Sequence, residues 1–356
     1  MHHVLCILWV ILQLPLALLW HGFLILLPFS SNKKTKSWIR MLADRGWQFV
    51  IARVSIPQLQ FAMGMLSTRE LYATWSRKRG LAICVEEIDG VGARVVWLDG
   101  KKTNHVIYYM HGGGYALPLQ DFQLAFWRHV QLELKKKHGI DVGVAILHYS
   151  LTPNAPFPTI LRQAVGGLRL LFDQGIQSKD IYIAGDSAGG NLILQLFSHI
   201  LHPLPTVPTI SCNTFRGAYL MSPWVSLSNE EGDQAAHDDT DILCSRSLAE
   251  FAAFVLCDVP ASQRPYVEVL KASESWFDGL NEVVNEILIS IGDKECFREE
   301  DVKLYERLHA KHSDVQMVLQ EFGVHIDPMI DAFIGEKLEG AITPRVVEWL
   351  AKGFRG

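Results

Sequence analysis

The sequence has no excess of positive charge. Its 356 residues hold 33 Lys+Arg against 38 Asp+Glu, a formal net charge of −5. No basic surface is available to follow a phosphate backbone, so nucleic acid is excluded as a partner. Paired cysteines are also missing. Cys6, Cys84, Cys212, Cys244, Cys257 and Cys296 are scattered, with no Cys-x-x-Cys and no His-rich cluster. No metal site is expected, and free buried thiols are the ordinary outcome. A bridge among Cys212, Cys244 and Cys257 would need an oxidising compartment. No Asn-x-Ser/Thr acceptor, internal repeat or low-complexity tract occurs. Hydrophobic residues reach 49% and charged residues only 20%, which excludes intrinsic disorder. A chain of this length buries roughly 75% of its unfolded surface and needs no covalent staple.

One long apolar run is present, at residues 4–29, with no Asp, Glu, Lys or Arg in it. Multi-pass architecture is thereby excluded. About 20 helical residues cross a hydrocarbon core, so 1–30 is expected to be a membrane anchor, single-pass or hairpin-like around Pro15. Trp9 and Trp20 suit the interfaces. A cleaved signal peptide fits worse, because the run is too long, starts without Lys or Arg and ends in Pro28-Phe29. Lys33, Lys34, Lys36 and Arg40 follow the run, which favours a cytosolic catalytic domain.

Residues 31–80 read as amphipathic helices with Trp38, Trp47, Phe49, Phe61 and Trp75 as anchors. They are expected to form a helical cap segment. From 81 to 356 the pattern is that of a catalytic domain. Short β-rich runs at 83–88, 93–98 and 105–110 are separated by Asp-Gly turn signals. Strands at 142–149, 180–185, 217–222, 286–292 and 315–322 then alternate with helices at 158–172, 190–201, 298–311 and 343–354. Apolar strands alternating with helices predict an α/β fold with a mostly parallel sheet covered on both faces. The rhythm breaks at 230–280, which reads as an insertion, also part of a cap.

The strongest chemical signal is Gly185-Asp186-Ser187-Ala188-Gly189-Gly190-Asn191, following a strand and opening a helix. Small residues around a serine permit a strained strand-to-helix turn with Oγ above the sheet. The second signal is His111-Gly112-Gly113-Gly114-Tyr115. Three residues without Cβ let backbone N–H groups approach a substrate oxygen. Gly112, Gly113, Gly114 and Ala188 are the candidate oxyanion hole, with Gly113 and Gly114 as the preferred donors beside Ala188. A phosphate loop would want Lys-Ser/Thr where Tyr115-Ala116 stand.

With these motifs, and Tyr149-Ser150-Leu151-Thr152-Pro153 between them, the chain resembles the hormone-sensitive-lipase branch of the α/β-hydrolases, over roughly 80–356. Ser222-Pro223-Trp224 and 202–205 also look like membrane-anchored fungal esterases of the steryl-acetate deacetylase type. The resemblance implies an eight-stranded, mostly parallel sheet flanked by helices, with a helical cap. It also implies a serine hydrolase whose acid and histidine follow the serine in chain order. Of the later histidines, His325 alone follows a strand at the carboxyl end of the sheet. His199 and His202 lie behind the nucleophile, and His309 and His312 read as a solvated helix face. Relatives continue with Gly-Phe, whereas Ile326-Asp327 follow here. The family's Asp-x-Leu acid matches Glu295 in register, with Asp293 as the alternative. Glu299, Glu300 and Asp301 read as solvated helix surface.

The expected catalytic set is therefore Ser187, His325 and Glu295, with Tyr115 and Trp224 as candidate substrate contacts and no cofactor. Asp186 is read as a structural neighbour of the serine. The expected partner is a hydrophobic small-molecule ester, such as an acetylated sterol or terpenoid. The expected location is a membrane, the endoplasmic reticulum. An acyltransferase or other enzyme of specialised metabolism, or a non-catalytic ligand receptor, would use the same pocket.

Overall fold

A computed structural model describes residues 2–26, 36–63, 68–210, 213–336 and 340–356. Four helices come first: α1 (His2–Leu26), α2 (Trp38–Ile51), α3 (Ile56–Met63) and α4 (Thr68–Lys78). Then come β1 (Ile83–Ile88), β2 (Ala93–Leu98), β3 (Val106–Met110), α5 (Asp121–His138), β4 (Gly143–His148), α6 (Thr159–Asp173), β5 (Ile181–Asp186), α7 (Ala188–Leu201) and β6 (Gly217–Met221). The segment between β6 and β7 holds α8 (Ser245–Leu256), α9 (Arg264–Val267) and α10 (Leu280–Val283). The chain closes with β7 (Ile287–Gly292), α11 (Arg298–His309), β8 (Val315–Gln320), α12 (Asp327–Ile334) and α13 (Ile342–Arg355).

The eight strands form one sheet in the order β1-β2-β4-β3-β5-β6-β7-β8. β2 pairs antiparallel with β1 and β4, and every other pair is parallel. Parallel strands need both faces covered, which explains their continuous apolar runs. Alternation sends Trp97, Tyr108, Met110 and Leu147 to a core shared with α6 and α7. It sends Val96, Ile107, Tyr109 and Ile146 to a core shared with α5 and α13. The strands and helices expected from periodicity match within a few residues. Helices α5 and α12 were not among them. The signals for α5 are nonetheless local: Asp121 in its first turn, Lys135 to His138 in its last, and left-handed Gly139 as its stop.

Helix α1 is long and apolar enough to cross a membrane over residues 3–23. It does not stand away from the rest of the chain. Val10, Leu14 and Ala17, spaced i, i+4, i+7, pack on the core. Gly22 faces Leu42, and Gly46 of α2 faces Leu18. Leu5, Leu8, Leu12, Leu16 and Leu19 are exposed on its other side. Two of the four basic residues that bear on orientation, Lys36 and Arg40, are buried among aspartates, so in the folded protein they are not free membrane-facing charges. Lys33 and Lys34 lie outside the described residues, as does Cys212. Cys244 and Cys257 carry free thiols.

The turn from β5 into α7 is where the backbone is tightest. A Cβ at Gly189 would overlap the Met110 carbonyl oxygen of β3. Gly189→Ala is expected to cost about 1–3 kcal/mol as overpacking against rigid backbone, read as a lower urea midpoint.

Candidate active site

Ser187 sits between β5 and α7 with φ 52° and ψ −120°. Such a backbone costs of order 1–3 kcal/mol for a residue bearing a Cβ and persists only when its surroundings fix it. Here they do. The Ser187 N–H donates to the Met221 carbonyl at 2.9 Å, and the Trp224 N–H donates to the Ser187 carbonyl at 3.0 Å. Ala188 opens α7, so its N–H is one of the amides without an intrahelical acceptor.

The glycine loop is tied to the same turn. The Asp186 carboxylate accepts from the Gly112 N–H at 2.9 Å, from the Gln123 amide at 3.1 Å and from the Tyr109 hydroxyl. Burial pushes this carboxyl up, and the three donors oppose the shift. Gly113 (φ 104°) and Gly114 (φ 60°) then turn through backbone that favours glycine. A Cβ on Gly114 would collide with the Phe251 ring. The Gly112 amide is therefore already engaged, and Gly112 serves the turn rather than the oxyanion. Tyr115 is also corrected. It does not line the cavity, because its hydroxyl is drawn into the core by Asn191 (2.7 Å) and Gln195 (2.8 Å) of α7.

His325 is buried in the loop between β8 and α12. Desolvation pushes its pKa down to about 3, so the imidazole is neutral around neutral pH. Its own N–H donates to Asp241 Oδ1 at 2.8 Å. The other oxygen of Asp241 accepts the Cys296 N–H at 2.9 Å. One carboxylate thus ties the backbone of His325 to the residue beside Glu295. Burial pushes Asp241 up to about 6 although it also accepts the Ile242 amide. Ser222 makes a second tie: its hydroxyl donates to Glu295 Oε2 at 2.7 Å and accepts the Ile326 N–H at 3.2 Å.

Glu295 is fully buried, and its Oε2 also accepts the Gly292 N–H at 2.8 Å. Burial, then the Asp241 charge, push its carboxyl well above the usual range. Its Oε1 and His325 Nδ1 are both buried without a hydrogen-bond partner. The loops of the two groups are tied together through Asp241 and Ser222, but the two side chains are not hydrogen-bonded to each other. Asp293 Oδ1 is likewise buried without a partner, but the residue is otherwise placed differently. It is partly exposed and pairs with Lys294 at 3.6 Å.

Three expectations of solvated surface are overturned. Glu300 and Asp301 are buried in the first turn of α11. Glu300 accepts from Gln234 at 3.1 Å, and Asp301 interacts with Glu295. His312 is buried too, bonding the Val284 carbonyl at 2.8 Å and the Asp314 amide at 3.1 Å. Asp241 itself was not anticipated from sequence. It lies 84 positions from His325 in a segment with no motif.

Ser187, His325, Gly113 and Gly114 open onto one cavity. Its walls are apolar: Trp47 and Ile51 of α2, Met63 of α3, Leu248 and Phe251 of α8, Ile330 and Phe333 of α12, with Trp224 and Phe297. That is the character of a site for a hydrophobic ligand.

The model of a family described as the alpha/beta hydrolase fold matches residues 107–326. An acetyl-hydrolase of Streptomyces hygroscopicus is 31% identical over 146 residues, covering 40% of this chain and 44% of that protein. Steryl acetyl hydrolase 1 of Saccharomyces cerevisiae is 23% identical over 257 residues, covering 64% of this chain and 55% of that one. The match thus spans about half the length of these relatives. A hormone-sensitive lipase from a metagenome library superposes with a TM-score of 0.65 at 21% identity, over 86% of this chain and 96% of that one.

Two outcomes follow from the loop geometry. Asp241→Ala is expected to speed amide exchange at His325 and Cys296 by about fivefold, as a lost hydrogen bond of roughly 1 kcal/mol implies; unchanged exchange at both would count against the tie. The lowered pKa of His325 makes the unfolded chain take up its proton first as pH falls. Its contribution to stability is complete above about pH 6.5, the unfolded value, and is lost as pH falls toward about 3. Urea denaturation across pH 3–7 is expected to show a shallower acid limb for His325→Gln than for the unaltered chain.

Proposed function

The chain belongs to the α/β-hydrolase fold family, and on that premise we propose that it is a serine carboxylesterase acting on a hydrophobic ester with a short acyl group. The observation that carries the proposal is the common cavity. A serine on a strained turn, a neutral buried imidazole and two glycines of the 112–114 turn line one apolar space. An acetylated sterol or terpenoid has the apolarity of that lining, and the yeast relative is named for a steryl acetyl substrate.

In this reading Ser187 Oγ attacks the ester carbonyl while His325 takes its proton. The amides of Gly113, Gly114 and Ala188 receive the oxyanion. Glu295 accepts from His325 Nδ1–H as the imidazolium forms. His325 then protonates the leaving alcohol, and water attacks the acyl-enzyme. Asp241 and Ser222 support Glu295 over Asp293, because both tie its loop to that of His325. Helix α1 serves as membrane anchor, and α2, α3 and the 230–280 segment serve as the cap over the cavity.

The test is hydrolysis of p-nitrophenyl acetate beside the octanoate. Ser187→Ala and His325→Ala are each expected to lower kcat by about 10⁴-fold or more. Glu295→Gln is expected to lose clearly more than Asp293→Asn. The reverse order would move the acid to Asp293, and turnover untouched by Ser187→Ala would end the reading.

A further inference from the structure

The residue after His325-Ile326 is an aspartate, and α2 answers it. Asp327 is 2% exposed, and Arg40 of α2 is 0% exposed. The Arg40 guanidinium donates to Asp327 Oδ1 at 2.7 Å and to Asp331 Oδ1 at 2.7 Å. Lys36, also buried, donates to Asp327 Oδ1 at 2.6 Å and to Asp44 at 3.1 Å. Asp44 also pairs with Arg40. The same Asp327 oxygen accepts the Val324 N–H at 3.0 Å, and its second oxygen accepts from Gln320. Asp327 therefore holds the backbone immediately before His325 while two buried cations hold Asp327.

The desolvation of such a cluster is costly unless every charge is matched. Arg40 and Lys36 hold Asp327 below the usual carboxylate range, against the burial that would raise it. Burial and Asp327 push Asp331 up to about 7, so the cations are balanced chiefly by Asp327 and Asp44. Removing one partner leaves a buried charge unmatched and frees the loop to shift.

We propose that Arg40 and Lys36 are positioning residues for the general base, acting through Asp327, so that the helix next to the apolar segment is part of the catalytic apparatus. This rests on the reading of His325 as base. Nothing in the chemistry requires α2 to touch the substrate for this effect. A displacement of about 1 Å at a catalytic group is enough to cost up to about a hundredfold.

The experiment uses the full chain in detergent micelles with p-nitrophenyl acetate. Arg40→Met, Arg40→Lys, Asp327→Asn and Arg40→Met/Asp327→Asn are compared, with Ser187 sites counted by stoichiometric fluorophosphonate labelling. The expected result is a fall in kcat per labelled site of about tenfold or more for Arg40→Met and for Asp327→Asn, with KM within about twofold. Arg40→Lys is expected to recover part of kcat, and the double variant to fall no further than the worse single one. Wild-type kcat per site in both single variants, whatever their melting midpoints, would overturn the proposal. Should Arg40→Met fail to fold, the near-isosteric Asp327→Asn and Arg40→Lys decide it by the same criterion. His325→Ala is run alongside: full turnover there would remove the underlying reading, whereas its loss beside silent Arg40 and Asp327 variants would remove only this inference.

Discussion

Three consecutive amides, those of Val324, His325 and Ile326, are each taken by a side chain from a different part of the chain: Asp327, Asp241 and Ser222. The rest of the site depends on this. A loop that carries a buried imidazole cannot leave its N–H groups to water, and it has no strand partner to satisfy them. Ile326 sits at φ 49°, so the loop is also strained and would relax if released. Each acceptor has a second attachment. Asp241 holds the Cys296 amide, Ser222 holds Glu295, and Asp327 holds α2. The base is thereby located against the acid loop, the β6 terminus and the amino-terminal helices together.

The apolar cavity sets the electrostatics of that assembly. Burial lowers His325 and raises Glu295 for the same reason, since each charged form loses water. In the resting site both are driven toward neutrality. On the proposed mechanism, charge appears only when the imidazole takes the serine proton and an oxyanion forms, and dipoles fixed beforehand are then worth more than they would be in water. The hydrophobic substrate of the proposed function would strengthen this arrangement by filling the space lined by Trp47, Phe251, Phe297 and Phe333. Apolar lining and a buried neutral base are therefore one design rather than two features.

The parts of the site legible in the sequence are those whose requirement is local. Gly185 and Gly189 are small because backbone stands where a Cβ would be, and in the 112–114 run Asp186, Leu117 and the Phe251 ring stand there; such a demand leaves a motif. Strands and most helices were legible through apolar continuity and amphipathic spacing. The tie through Asp241 was not, because a single aspartate 84 residues from its partner has no pattern. Glu300 and Asp301 misled for a related reason: acidic residues at a helix start suit the dipole whether exposed or buried, so composition could not tell the two cases apart. Tyr115 follows the glycines in chain but is turned away from the cavity by φ 59° and by its bonds to α7. The departure at Ile326-Asp327 was visible as a departure, yet its meaning lay 287 residues away at Arg40.

Helix α2 combines roles that are usually separate. Arg40, Asp44, Trp47 and Ile51 recur at i, i+4, i+7 and i+11, one stripe of the helix. The first two residues belong to the ion cluster around Asp327, and the last two form cavity wall. Elsewhere on α2, Leu42 and Gly46 meet Gly22 and Leu18 of the apolar α1. One rigid helix therefore touches the substrate space, the loop of the base and the candidate anchor. A rotation or slide of α2 cannot widen the cavity without also pulling on Asp327, and a charge cluster whose partners are nearly all buried resists such a slide because every separated pair would be left unsolvated. The stiffness that keeps the His325 loop in place and the apolar wall of the cavity thus follow from the same fourteen residues.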